Sequence, residues 1–525
     1  MFTIPQRVLG EALQNSATEN PDKTAIIIKD ESHTYSMLYI QAKAMALYLV
    51  NSGINKGDRV AIYMNNTWEC IVSIYGITMA GGAFLVINPQ TKSDKLLYIL
   101  NDSGAKILIS EHQLKNQYLQ IITESHHLNK IIVTGKNQDI DLFTGIEIIK
   151  FEDVTSSKQT STKTLPNVIP NDLAALIYTS GSTGFPKGVM MSHQSMVFAS
   201  WSLTQYLRLT KRDRIIVLSP FAFDYGLYQL LMTITISASL IVEQSFTFQK
   251  SIYNLIDKYQ PTVFPGVPTI YAMMIASYKK SPFKLECIEK ITNTAAALPA
   301  ESIPELKKIF PNALIFKMYG LTECKRVCYL EPELIDLKPG SVGKAIPGTE
   351  VYLLSEDGKP VEPNQRGLLH IRGPHVMMGY WNKEDLSNQM LKPGLLPGEK
   401  VLFSNDWFKK DEDGCLYFLG RNDDIIKTRG EKVSPVEIEN VIYKIEGIKE
   451  VAVLGTPNNI MGESIVAFIT LNSQPMNEKE IQKACADKLE MFMVPQKVIF
   501  VDEMPKSTNG KIDKKELRKI YLSDE

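Results

Sequence analysis

Apolar runs of about five residues alternate along the first third of the chain with segments whose apolar positions recur every three or four residues. Thr24-Ala-Ile-Ile-Ile-Lys29 reads as a strand, and Thr34-Tyr-Ser36 leads into a helix through Leu49. The turn Lys56-Gly-Asp58 precedes a strand at 59–63. The run 71–87, broken by Gly81-Gly82, reads as a buried helix turning into a buried strand. A helix at 91–101 and a strand at 106–110 follow. Strands alternating with helices predict a largely parallel sheet. Residues 152–165 turn to Ser, Thr and Lys and read as an exposed connection. Beyond it come strands at 173–177, 214–218, 239–243, 262–268, 290–297 and 313–318.

After Pro339-Gly340 the texture changes to short strands bounded by Gly, Pro and Asp, at 350–354, 367–372 and 415–419, as in a small β subdomain. From about Arg421 a separate unit of roughly 100 residues begins. Ser434-Pro-Val-Glu437 carries a helix start: serine at the N-cap, proline at the first helical position and glutamate to close a capping box. Ile438, Val441, Ile442 and Ile445 share one face, with Gly447 where a C-terminal cap belongs. Strands at 450–454 and 465–471, a helix at 478–489 and a strand at 498–502 complete it. The fold class is therefore α/β. A large N-terminal domain (1–420) holds parallel-rich α/β sheets plus a small β subdomain, and a small α+β C-terminal domain spans 421–525.

Composition narrows the class without naming a function. The length of 525 residues exceeds what one core covers, so two or more domains are expected. A net charge of −1 gives no support for nucleic acid or an anionic membrane as partner. The run 71–87 is short for a membrane span and carries two glycines in its middle. Residues 1–10 lack the apolar core of a signal peptide. Cys324 and Cys328 are the only close cysteine pair, and no second pair completes a zinc site. Reduced cysteines in a soluble, cytoplasmic enzyme is the economical reading.

The chemistry concentrates in Tyr178-Thr-Ser-Gly-Ser-Thr-Gly-Phe-Pro-Lys-Gly188, directly after the apolar run 173–177. A strand emptying into a donor-rich loop suits phosphate: backbone N–H groups and hydroxyls wrap the oxygens and Lys187 adds a point charge. The spacing is not that of a Walker loop, and Pro186 pushes Phe185 out of helical geometry. The plain alternative is an ordinary surface turn.

Five stretches agree in order and spacing with the adenylate-forming superfamily of acyl-CoA ligases, luciferases and peptide-synthetase adenylation domains, which the chain resembles over nearly its whole length. They are the loop 178–188, Tyr319-Gly-Leu-Thr-Glu323, Phe403-Ser-Asn-Asp-Trp407, Gly420-Arg-Asn-Asp-Asp-Ile-Ile-Lys-Thr-Arg-Gly430 and Asn509-Gly-Lys511. The resemblance implies a carboxylate attacking the α-phosphorus of ATP, with Mg2+, and a thiol then taking the acyl group. It assigns the leaving pyrophosphate to Thr179, Ser180, Gly181, Ser182, Thr183, Gly184 and Lys187, and Mg2+ to Glu323, a hard oxygen ligand. It places Tyr319 near adenine, Thr322 on phosphate, and Asp406 and Arg421 on ribose. Ser404-Asn405 stands where relatives read Thr-Gly. It implies that Lys511 bridges carboxylate and α-phosphate. It also implies that Asp423 is the hinge about which the mobile C-terminal domain swings, bringing Gly430 and Lys432 to the thioester step. The plain alternatives are a solvated turn glutamate at 323 and a flexible tail lysine at 511.

Pro220-Phe-Ala-Phe-Asp-Tyr-Gly-Leu-Tyr228 bears on the substrate. Many acyl-CoA ligases carry Phe-His here, whereas Phe223-Asp224 is similar to amino-acid adenylation domains, in which the aspartate pairs with the α-ammonium. A carboxylate in an apolar pocket is costly unless paired. The alternative is an aspartate that caps the next helix. By motif position, Tyr225, Tyr228, Thr294, Met318 and Val327 complete an apolar, partly aromatic lining with no second charge. The expectation is a small apolar amino acid, L-proline first. It would pass to the phosphopantetheine of a stand-alone carrier protein in trans, as in the prolyl-carrier-protein ligases of pyrrole and anatoxin-type pathways. The competing readings are a CoA ligase for a fatty or aromatic acid, and a catalytically silent scaffold.

Overall fold

The computed structural model describes residues 6–522 apart from 136–145, 157–162, 180–185, 244–245, 247–248, 295–297, 423, 429–430, 459–460, 473–475 and 507–510. The expected strand–helix alternation is present, but it is divided between two large mixed sheets. One runs, edge to edge, Gly379–Tyr380, Lys187–Ser192, Leu173–Thr179, Ala83–Ile87, Arg59–Tyr63, Ile107–Glu111, Lys130–Thr134 and Glu147–Lys150. Its strands are parallel from Leu173–Thr179 outward, and the other two add on antiparallel.

The other runs Lys344–Ala345, Cys328–Leu330, Leu314–Tyr319, Lys290–Asn293, Val263–Gly266, Arg214–Val217, Ser239–Val242, Thr24–Ile28 and Glu31–Thr34. The early strand Thr24–Ile28 thus keeps its hairpin partner Glu31–Thr34 on one side and on the other lies parallel to the distant Ser239–Val242, with Ile26 opposite Leu240. Continuously apolar strands of this kind need cover on both faces. The helices Trp68–Met79, His193–Tyr206 and Asp224–Thr235, buried along most of their length, cover one side within the largest apolar cluster, and Ser93–Ser103, Gln249–Tyr259 and Pro268–Lys280 pack on the other faces. The run 71–87 is such a helix followed by the strand Ala83–Ile87, as expected. Among the described residues no helix is long and apolar enough to cross a membrane.

The β-rich segment after residue 340 forms an antiparallel sheet around Lys400–Lys410, with Glu350–Leu354, Arg366–Arg372, Leu391–Pro393 and Leu416–Arg421. The smaller C-terminal α+β unit has its own sheet: Glu431–Val433, Ile426–Thr428, Gly462–Leu471 and Ile448–Asn458, with Lys497–Phe500 parallel to Gly462–Leu471. Its helix Pro435–Ile442 starts where the sequence predicts, with the serine cap and first-turn proline but without the reciprocal Glu437 half of the capping box. The Ser434 hydroxyl accepts from the Glu437 N–H at 3.3 Å, and Pro435 opens the first turn. It stops at Ile442, one turn short of Gly447. Glu478–Ala486 carries the reciprocal capping box, through Asn477 and Glu480.

Candidate active site

Strands Leu173–Thr179 and Lys187–Ser192 pair antiparallel with Thr179 opposite Lys187, so the Gly/Ser/Thr loop springs from the end of a ladder. Ser180, Gly181, Ser182, Thr183 and Gly184 lie outside the described residues. Thr179 Oγ1 is buried and has no hydrogen-bond partner among those described. Lys187 opens its strand and reaches the second sheet: its Nζ stands 3.3 Å from Glu323 Oε1. The Tyr380 hydroxyl joins them, donating to Glu323 Oε1 at 2.6 Å and accepting from Lys187 Nζ at 2.7 Å, with the ammonium 4.0 Å from the ring centre. Tyr380 escaped the sequence reading. Gly379-Tyr380-Trp381 offers no local signal beyond two aromatics, and only the pairing of Tyr380 with Val189 brings it here.

Thr322 and Glu323 sit in the turn between Leu314–Tyr319 and the antiparallel Cys328–Leu330. The turn is tight enough to require Gly320. A Cβ there would meet the Lys325 carbonyl oxygen at 2.1 Å. Half-buried Tyr319 packs against Phe408 and Phe418, and its hydroxyl donates to Asp406 Oδ2. Asp406 is 3% exposed, and burial pushes its carboxyl up to about 6 against the pull of Tyr319 and Arg421. Oδ1 faces Arg421 Nε at 3.6 Å and accepts no hydrogen bond among the described residues. Asn405 explains the departure from Thr-Gly. Its φ of 61° is the left-handed conformation that glycine favours and asparagine tolerates. Ser404 keeps a structural role, its hydroxyl donating to Leu369 O and accepting from Asp406 N–H.

The helix Asp224–Thr235 begins at Asp224, so Phe223 is the N-cap residue and no side chain caps the helix. Asp224 is therefore not the cap; its carboxylate, 23% exposed, gains only the favourable end of the helix dipole. Asn66 clamps the preceding turn, accepting from Phe221 N–H at 2.8 Å and donating to Ser219 O at 2.9 Å. Gly226 tucks the first helical turn beneath that turn: a Cβ there would meet Ser219 O at 2.4 Å. The Tyr225 hydroxyl is tied back to Thr292 O at 2.9 Å, whereas that of Tyr228 is buried without a partner among the described residues. Thr294, Met318 and Val327 are buried, and Met318 Sδ accepts from the Tyr206 hydroxyl at 2.9 Å.

The expectation of no second charge is corrected. Lys325 and Arg326, 1% and 5% exposed, face the first turn of this helix, and Arg326 Nη1 stands 3.9 Å from Asp224 Oδ2. Neither was singled out in Cys324-Lys-Arg-Val327, because buried and solvated basic residues look alike in a sequence.

Asp423 and Gly430 lie outside the described residues, as does the side chain of Lys432, whose backbone is in the strand Glu431–Val433. Lys511, on the C-terminal unit, keeps solvent contact along the residue. Desolvation nevertheless lowers its pKa, and its charge is felt together with those of Asp224, Arg421 and Asp406. The C-terminal lysine thus lies within electrostatic reach of Asp224 and Asp406, while Lys187 and Glu323 meet each other directly. A cavity of ≈ 410 Å³ beside Ile27–Asp30 and the helix Gln249–Tyr259 shares none of these residues.

Residues 13–381 match the AMP-binding enzyme family, and 437–511 match the AMP-binding enzyme C-terminal domain. A long-chain-fatty-acid–CoA ligase of Bacillus subtilis is 30% identical, with 99% of this chain and 95% of the relative covered. A plipastatin synthase polypeptide of the same organism is 29% identical over 97% of this chain, which spans 14% of that protein. The crystal structure of the anthranilate CoA ligase AuaEII in complex with anthranoyl-AMP superimposes with a TM-score of 0.87 at 26% identity, covering 98% of this chain and 96% of that one. The chain belongs to the AMP-binding enzyme family, and is an adenylate-forming ligase that works with ATP and Mg2+.

Proposed function

We propose that the protein activates a small amino acid, L-proline first among candidates, as its adenylate and passes it to the phosphopantetheine thiol of a stand-alone carrier protein. The observation that carries the amine is Asp224. It opens its helix without capping it, and its one ion pair among the described residues, at 3.9 Å, is too long to be a hydrogen bond, so the carboxylate is left to receive an ammonium. Phe223, Tyr225, Tyr228, Thr294, Met318 and Val327 would line the rest of the acid site.

The residues present fit ATP and Mg2+. Asp406 Oδ1 and Thr179 Oγ1 are buried and open to partners, as ribose and phosphate require. Glu323 would hold the cation, which neutralises phosphate charge when bound. Lys187 would neutralise the departing pyrophosphate, and Lys511 would align the attacking carboxylate oxygen with the α-phosphorus. The P–O bond to pyrophosphate breaks as the acyl phosphate bond forms, so alignment and charge neutralisation carry the step. The domains 1–420 and 421–525 would then rotate about Asp423, withdrawing Lys511 and presenting Gly430 and Lys432. The thiol sulfur attacks the acyl carbonyl and AMP leaves.

The Arg326 contact favours a second reading, in which Asp224 only holds that guanidinium and the enzyme is a CoA ligase for a fatty or aromatic acid. ATP–pyrophosphate exchange across amino acids, fatty acids and aryl acids decides. Exchange with an amino acid, lost in Asp224→Ala, is the expected result. Exchange confined to acids without an amine would overturn it.

A further inference from the structure

The first turn of the helix Asp224–Thr235 faces more positive charge than the adenylation chemistry uses. Lys325 Nζ lies 5.7 Å from the centre of the Tyr228 ring and has no hydrogen-bond acceptor among the described residues. The Arg326 guanidinium lies 5.3 Å from the centre of the Tyr225 ring and donates through Nη1 to the Lys325 carbonyl at 2.7 Å, while its Nε has no acceptor. The Tyr228 hydroxyl is a third buried donor without a partner among the described residues. Lys325 over Tyr228 and Arg326 over Tyr225 both lie against the start of that helix, where Tyr228 follows Asp224 by one turn.

The available negative charge does not balance this set. Asp224 is a single carboxylate facing Lys325 and Arg326 and also feeling the charge of Lys511, and Glu323 Oε1 is committed to Lys187 and Tyr380. A buried ammonium without an acceptor costs several kcal/mol, and an apolar side chain of similar volume would pack there without that cost. Lys325 also holds a left-handed φ of 67°, a strained conformation for a non-glycine residue that persists only where its surroundings over-determine it. An anion arriving with the substrate accounts for all of these features.

We propose that Lys325, Arg326 and the Tyr228 hydroxyl form an anion subsite within the acid site, so that the acid activated carries a second carboxylate beyond the reacting one. Resting on the reading that Asp224 receives an amine, the substrate class becomes an α-amino acid with a carboxylate side chain. L-Proline would leave the subsite unused.

The test is ATP–pyrophosphate exchange with L-aspartate and L-glutamate, their amide isosteres L-asparagine and L-glutamine, L-proline, and the amine-free succinate and glutarate. An acidic amino acid should exceed its amide isostere by at least about 100-fold in kcat/KM, since a site built for a polar group rejects the analogue that cannot pair with it. Lys325→Met should collapse that ratio. Tyr228→Phe, which keeps the packing, should reduce it about tenfold and serves if the lysine variant does not fold. Exchange with L-proline but not with the acidic amino acids would overturn the anion subsite and leave the amine reading standing. Exchange with succinate or glutarate and no amino acid would support the subsite and overturn the amine. Exchange only with acids bearing neither group would overturn both.

Discussion

Replacing Asp406 with asparagine should stabilise the protein while disabling it. Burial pushes this carboxyl from 3.8 up to about 6. A displacement of about 2 pH units corresponds to about 3 kcal/mol of cost in keeping the group ionised inside the fold. The sign follows from proton counting. Between pH of about 4 and 6 the folded chain binds more protons at this site than the unfolded chain, so its stability falls as pH rises through that window. Above about 6 the full cost is present, and below about 4 it is gone. Asparagine does not titrate, and its Oδ1 still accepts from the Tyr319 hydroxyl as the carboxylate does. The ATP-free variant should therefore be more stable than the parent at pH 7.5, by up to about 3 kcal/mol, with the gap closing as pH falls from 6 to 4. Exchange assays should show kcat/KM for ATP reduced about 10- to 100-fold, because hydrogen bonds to a charged acceptor are the stronger ones. Thermal midpoints of both proteins across pH 4.5–8, measured beside exchange, provide the check. A variant no more stable at pH 7.5, or a gap independent of pH, would refute the reasoning.

Lys511→Ala should lower acyl-adenylate formation at least about 100-fold yet spare thioester formation from supplied adenylate; equal loss of both half-reactions would count against its assignment to the first. Tyr380→Phe keeps the ring under the Lys187 ammonium and removes the hydroxyl that joins Lys187 to Glu323. It should cost about tenfold in kcat/KM for ATP with an altered Mg2+ dependence, and unchanged exchange at limiting Mg2+ would show that the hydroxyl has no part in the site.

The elements were largely legible because their causes are local. Runs such as Thr24–Ile28 and Ala83–Ile87 are apolar at almost every position, and the caps at Ser434 and Asn477 act within three residues. The strand Lys400–Lys410 was recognised only at its motif, because its burial pattern alternates imperfectly over eleven residues. Lys187, Glu323, Asp406 and Lys511 were marked by the resemblance of their short runs to the superfamily's motifs, since composition alone leaves a turn glutamate or a tail lysine undistinguished.

Only the tertiary structure decided which of these residues meet. Thr24–Ile28 pairs with Ser239–Val242 through packing and ladder hydrogen bonds that no local pattern encodes. Tyr380 reaches Lys187 and Glu323 across 193 and 57 residues of chain. Whether Asp224 caps its helix or faces the cleft depends on where that helix starts, which Asn66 and Gly226 settle by pinning the Ser219–Phe221 turn. Lys325 and Arg326 carry the same letters buried or solvated. The turn that Gly320 permits folds them inward against Tyr228 and Asp224, and burial is what makes two ordinary basic residues costly unless an anion meets them.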